Sequence, residues 1–113
     1  MIAKSIQYTG DQIQGGGSRY VLVCEVALGQ IKETMKTNND FKLDEGFHSV
    51  WGKGRSGPDS EGSASMVTLS DGAVVPIGKV KNFGDRDRSD FLHSEYVIPD
   101  SSQVRLRYLL QFK

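Results

Sequence analysis

Residues 20–28, Tyr-Val-Leu-Val-Cys-Glu-Val-Ala-Leu, carry the strongest strand signal in the chain. Valine and tyrosine suit extended backbone, and apolar side chains at both odd and even positions predict a central strand covered on both faces. Glu25 interrupts the run. It reads either as a second active-site carboxylate or, by preference, as a carboxylate facing a basic partner or water, since such groups are rarely buried unpaired. Gly29 closes the strand.

On the C-terminal side, residues 103–112 alternate. Val104, Leu106, Tyr108, Leu110 and Phe112 fall on one face, with Arg105 and Arg107 on the other. Met66–Leu69 and Ala73–Val75 flank Ser70-Asp71-Gly72, a hairpin signal, and Pro76 predicts an edge position for the second arm. Gly46–Trp51 reads as a short strand, and so does Glu95–Ile98, stopped by Pro99-Asp100. Ile31 and Met35 are spaced for one helical turn. Near the start, Ile2 with Ile6 and Ser5 with Tyr8 share faces of a short helix. That helix ends at Thr9-Gly10-Asp11, and Gly15-Gly16-Gly17-Ser18 follows as a flexible loop; no Lys-Ser or Lys-Thr makes it a phosphate cradle. Lys79–Asp90 reads as a charged, irregular connection whose Asp85-Arg86-Asp87-Arg88 alternates in sign, a solvated loop. About six strands and little helix predict a single α+β domain over residues 1–113, built on a mostly antiparallel sheet.

With 14 basic and 14 acidic residues the formal charge is zero, so no global field draws a nucleic-acid backbone or an anionic membrane. One cysteine, Cys24, excludes an internal disulfide and suits a reducing compartment. No apolar run approaches the roughly 18 residues of a membrane span, and the N-terminus lacks a secretory signal. The chain reads as intracellular, or as part of something larger.

Conventional catalytic patterns do not occur. His48 and His93 are the two histidines, and neither stands at a metal-ligand spacing from Cys24 or from the other. There is no Gly-x-Ser-x-Gly elbow. Glu25 and Glu95 could be paired as a glycosidase acid and nucleophile, but spacing does not bring them together. Taken alone, Glu95 reads as an exposed charge at a strand end.

Six short motifs change that reading. They are Lys4-Ser5-x-x-Tyr8, Cys24-Glu25-Val26-Ala27-Leu28-Gly29, His48-Ser49-Val50, Pro58-Asp59, Ser94-Glu95-Tyr96-Val97-Ile98, and Gln103-Val104-x-Leu106-x-Tyr108-Leu109-Leu110. In order and rough spacing the chain resembles the C-terminal portion of the poly(ADP-ribose) polymerase catalytic domain, in its nuclear, DNA-damage-responsive branch. The resemblance implies the ADP-ribosyltransferase fold with the N-terminal half of that domain missing. It implies NAD as co-substrate, nicotinamide as leaving group, and acceptor proteins or growing ADP-ribose chains as partners. No metal is implied, nor direct nucleic-acid or membrane binding by this segment.

By the same resemblance, the Ser5 hydroxyl would bond the nicotinamide carboxamide, Tyr8 would stack on its ring, and Lys4 would lie close by. Glu95 would be the catalytic glutamate. It would bind a hydroxyl of the nicotinamide ribose and stabilise the positive centre formed as nicotinamide leaves. The family's His-Gly strand and Tyr-Phe-Ala segment have no counterpart in these residues, and His93 does not replace the histidine. The family's Gly-Lys-Thr-x-Pro-Asp is altered to Gly54-Arg55-Ser56-Gly57-Pro58-Asp59. The 113 residues by themselves are therefore expected to be inactive or marginally folded. A non-catalytic remnant serving as an interaction module is the alternative.

Overall fold

A computed structural model describes Ser5 and residues 17–38, 42–61 and 65–113. Ser5 is helical and exposed; Lys4, Tyr8 and the rest of the expected N-terminal helix lie outside the described residues. Nine strands are named among the described residues, and they fall into two compact units.

The first unit comprises Met1–Ala27 and Asp100–Lys113. Its described core is a two-stranded antiparallel ribbon of β1 (Arg19–Val26) and β9 (Val104–Phe112). The register pairs Val21 with Leu110 and Glu25 with Arg105, with an irregularity between Val23 and Cys24. Here the expectation of a doubly covered strand fails: Val21 is buried, but Tyr20, Leu22 and Val23 are exposed. Among the described residues the ribbon stops at two strands, and these apolar side chains stay open to water. Asp100 caps the short 3-10 turn Ser101–Gln103 that leads into β9, accepting from the Ser102 amide at 2.9 Å. That bond holds the Asp100 carboxyl below the usual range.

The second unit is Leu28–Pro99. Its central sheet has the order β2-β3-β8, with β2 (Ile31–Thr34) parallel to β3 (Ser49–Gly52), and β3 antiparallel to β8 (Glu95–Val97). Two further pairs are antiparallel: β4 (Ser56–Pro58) with β7 (Val80–Asn82), and β5 (Met66–Thr68) with β6 (Val74–Pro76). The hairpin forms where Asp71-Gly72 predicts it. Gly72 takes φ +89° in the turn, and the Leu69 amide donates to the Ala73 carbonyl at 2.8 Å.

The α+β expectation needs correction. Apart from Ser5, the helical residues described are two 3-10 turns, Gly84–Arg86 and Ser101–Gln103, in a strand-rich chain of mostly antiparallel pairs. The helical spacing of Ile31 and Met35 is overridden because residues 31–34 pair with β3 instead. Likewise the connection 79–90 is not irregular throughout, since Val80–Asn82 completes a ladder with β4.

Candidate active site

Alternation along three adjacent strands builds one face of the central sheet. Lys32 lies beside Val50, and Val50 beside Val97; Thr34 lies beside Gly52, and Gly52 beside Glu95. Because side chains alternate with period two, these six residues point the same way, and they line a cavity of about 350 Å³ together with Phe91. Glu95 is half-buried on its wall. Opposite it, Gly52 contributes no side chain: a Cβ there would come within 2.9 Å of the Phe91 ring. Glycine thus lets Phe91 close down beside the carboxylate.

Three lysines, Lys32, Lys36 and Lys42, line the cavity, and two of them have a carboxylate partner. Lys32 pairs with Asp44, and Lys36 lies 3.5 Å from Asp90. The lining carboxylate is Glu95, presented from a strand.

The other face carries Glu33, Trp51 and Tyr96 in one row. Trp51 and Tyr96 stack with centroids 5.9 Å apart and planes 14° from parallel. Lys53 lies 5.2 Å from the Trp51 ring centroid and 2.9 Å from Glu33. The Tyr96 phenol is pushed up, by burial first and then by the charge of Glu33, against the opposing effect of Arg86.

The approach to Glu95 is stitched to residues 53–56. The Arg55 amide donates to the Phe91 carbonyl and the Ser56 amide to the Leu92 carbonyl, each at 3.0 Å. The Gly54 amide donates to Ser94 Oγ at 3.0 Å, and the Ser94 amide to the Ser56 carbonyl at 3.1 Å. His93 Nδ1 is hydrogen-bonded to Ser56 Oγ at 2.7 Å, so this histidine serves the scaffold beneath the site. His48 does the same at the start of β3. Its Nδ1 accepts from the Gln30 amide at 2.9 Å, while the fully buried Ser49 hydroxyl donates to the Leu28 carbonyl at 2.8 Å.

Of the candidate catalytic and NAD-binding residues, Glu95 is placed on the wall of the described cavity; Ser5 is described only as helical and exposed, and Tyr8 and Lys4 are not described. Glu25 lies in the other unit, where it takes Arg105 at 2.9 Å and Arg107 at 2.8 Å, and their hydrogen bonds hold its carboxyl below the usual range. That is the basic partner its position suggested. Gly52, Gly54, Ser56, Phe91 and Ser94 went unnoticed as supports of the site. Gly54, Ser56 and Ser94 stand in the sequence only as parts of family motifs, whose match says nothing of what their amides and hydroxyls bind.

A family model described as "Poly(ADP-ribose) polymerase catalytic domain" matches residues 1–113. The chain belongs to the poly(ADP-ribose) polymerase catalytic-domain family. It is similar to poly [ADP-ribose] polymerase 1 of Danio rerio, with 39% identity over 113 residues, covering 100% of this chain and 11% of that protein. Poly [ADP-ribose] polymerase 2 of Arabidopsis thaliana is 32% identical over 114 residues, covering 100% of this chain and 17% of the relative. Poly [ADP-ribose] polymerase 2 of Homo sapiens is 38% identical over 94 residues, 80% of this chain and 15% of that protein. The chain thus spans a small part of the curated relatives it matches.

Proposed function

We propose that these residues supply the catalytic glutamate of an NAD-dependent ADP-ribosyltransferase that builds poly(ADP-ribose) on proteins and releases nicotinamide. The observation that carries this reading is Glu95 itself: a carboxylate fixed on a strand, on the wall of a cavity, with glycine opposite, in a chain of this family. In this role Glu95 accepts a hydrogen bond from a ribose hydroxyl of NAD. It also lies beside the positive charge that develops at the sugar as nicotinamide departs. A preorganised carboxylate stabilises that charge with little reorganisation at the moment of reaction. When a chain of ADP-ribose is extended, the same carboxylate polarises the acceptor hydroxyl.

Residues 1–113 act here as the later portion of one ADP-ribosyltransferase catalytic domain. Ser5 and Tyr8 would hold nicotinamide, with Lys4 close by, on the strength of the Lys-Ser-x-x-Tyr match. The family's His-Gly strand and Tyr-Phe-Ala segment would come from outside these residues, as would any DNA-sensing part. A nuclear setting follows from the family branch.

The test is Glu95→Gln in the full-length polypeptide that carries this segment, scored by NAD consumption and polymer length. Loss of one preorganised catalytic group predicts a fall in turnover on the order of 100-fold or more. Polymer synthesis at the unmodified rate refutes the reading and favours a non-catalytic binding module.

A further inference from the structure

We propose that residues 83–91 form a clasp around the ends of β2 and β3, and that Arg86 is the positioning residue that keeps this clasp, and through it Glu95, in place. The proposal rests on the reading of Glu95 as the catalytic carboxylate.

The segment engages both faces of the central sheet. On one face the Arg86 guanidinium lies 4.0 Å from the Phe83 ring centroid and 5.2 Å from that of Trp51. Trp51 is the residue before Gly52, the partner of Glu95, and it stacks on Tyr96, the residue after Glu95. On the other face Phe91 fits over Gly52 and lines the cavity with Glu95. Between these two holds the chain passes the strand ends. Ser89 Oγ donates to the Lys53 carbonyl at 2.6 Å, and the Asp90 amide donates to the Met35 carbonyl at 2.9 Å. The segment therefore grips the sheet from two sides, with Glu95 and its partner between the grips.

Arg86 is the unusual member. Its Nε is buried without a hydrogen-bond partner among the described residues, and so is Nε1 of Trp51. Two such groups side by side call for an explanation beyond hydrogen bonding. For Arg86 the two rings supply it, because a guanidinium is attracted to aromatic faces and is more weakly hydrated than an ammonium. The alternating run Asp85-Arg86-Asp87-Arg88 is thus not one solvated face: Arg86 turns inward while Asp85, Asp87 and Arg88 remain exposed.

If Arg86 holds the clasp, removing it should disturb the reacting geometry more than the binding of NAD. In the full-length polypeptide, Arg86→Ala is expected to lower kcat for NAD about tenfold, as displacement of a catalytic group by a fraction of an ångström does, while KM changes less than about twofold. Arg86→Lys keeps the charge without the guanidinium's broad, weakly hydrated contact with the rings and should fall between Arg86→Ala and the parent. Because Arg86 acts through Glu95, the Arg86→Ala/Glu95→Gln double variant should be no slower than Glu95→Gln alone. A thermal melt checks folding, and Arg86→Lys carries the test if Arg86→Ala does not fold.

Losses that multiply in the double variant, a rise in KM at unchanged kcat, or wild-type kinetics for the Arg86 variants overturn the proposal. If Glu95→Gln turns over NAD normally, the catalytic reading falls and this inference with it. If Glu95→Gln is inactive while Arg86 shows any of the contrary results, only this inference falls.

Discussion

Glu95 reaches the cavity wall because of what two glycines do not carry. Gly52 leaves room for the Phe91 ring, and Gly54 lets a neighbouring backbone pass: a Cβ on Gly54 would overlap the backbone of His93 and Ser94. An overlap with the far end of a side chain could relax by a rotamer change, but a segment held by six hydrogen bonds between residues 54–56 and 91–94 cannot. Gly54→Ala must either push residues 93–94 outward, taking Glu95 with them, or strain the strand start. Overpacking of this kind costs about 1–3 kcal/mol. A denaturant melt of the Gly54→Ala variant should show a loss of that size. Gly46→Ala is a useful contrast, since its Cβ meets open space within 4 Å and its cost comes from φ +86° alone. A Gly54→Ala variant as stable as the parent would show that this approach is looser than its contacts indicate.

The segment ahead of β8 also carries an acid-sensitive link. Asp90 accepts from the Thr37 amide at 2.9 Å and faces Lys36, and these interactions, led by the Thr37 hydrogen bond, hold its carboxyl below the usual range. A carboxyl with a depressed pKa in the folded chain stabilises it fully above the unfolded pKa and loses that effect as pH falls through the folded value. The link between the end of β2 and residue 90 should therefore persist through neutral pH and weaken below the ordinary carboxylate range. The Thr37 amide proton, followed by NMR, should shift and exchange faster in that acidic window. Asp90→Ala should abolish the step, and a Thr37 amide indifferent to acid would remove Asp90 from this role.

Elements differ in how far they could be read in advance. Asp71-Gly72 between two apolar runs announced its hairpin because turn chemistry is local, and the alternation of residues 104–112 was as plain. β2 is not legible: Ile31 and Met35 are spaced for a helical turn, yet residues 31–34 become a strand by parallel pairing with β3, a partner 18 positions away, as in Ile31 with Ser49. Glu95 was found through family motifs, whereas its supports at Gly52, Gly54 and Ser56 are visible only once residues 91–94 lie against them. Arg86 is not legible either, because an alternating charge run has the same pattern whether one arginine faces outward or packs against rings.

The two units should differ in how readily they open. In the second, β3 is the middle strand, with β2 on one side and β8 on the other, and Ser49, Val50 and Gly52 are buried. Its amides open only if the sheet separates. In the first unit, β1 and β9 pair with each other in a two-stranded sheet, and Leu22, Leu106, Tyr108 and Leu109 are more than half exposed. Two-stranded ribbons are marginal by themselves, and exposed apolar side chains add little to hold them closed. Hydrogen exchange of the 113-residue chain should therefore rank the amides of Val50 and Gly52 well above those of Leu22 and Val23, since local opening free energies follow burial and pairing. The same measurement on the full-length polypeptide extends the comparison. If a further layer covers the ribbon there, protection at Leu22 and Val23 should rise toward that of β3 while Val50 changes little. Equal protection of both units in the 113-residue chain would mean that the ribbon opens only with the central sheet, and that its exposed apolar faces do not set its stability.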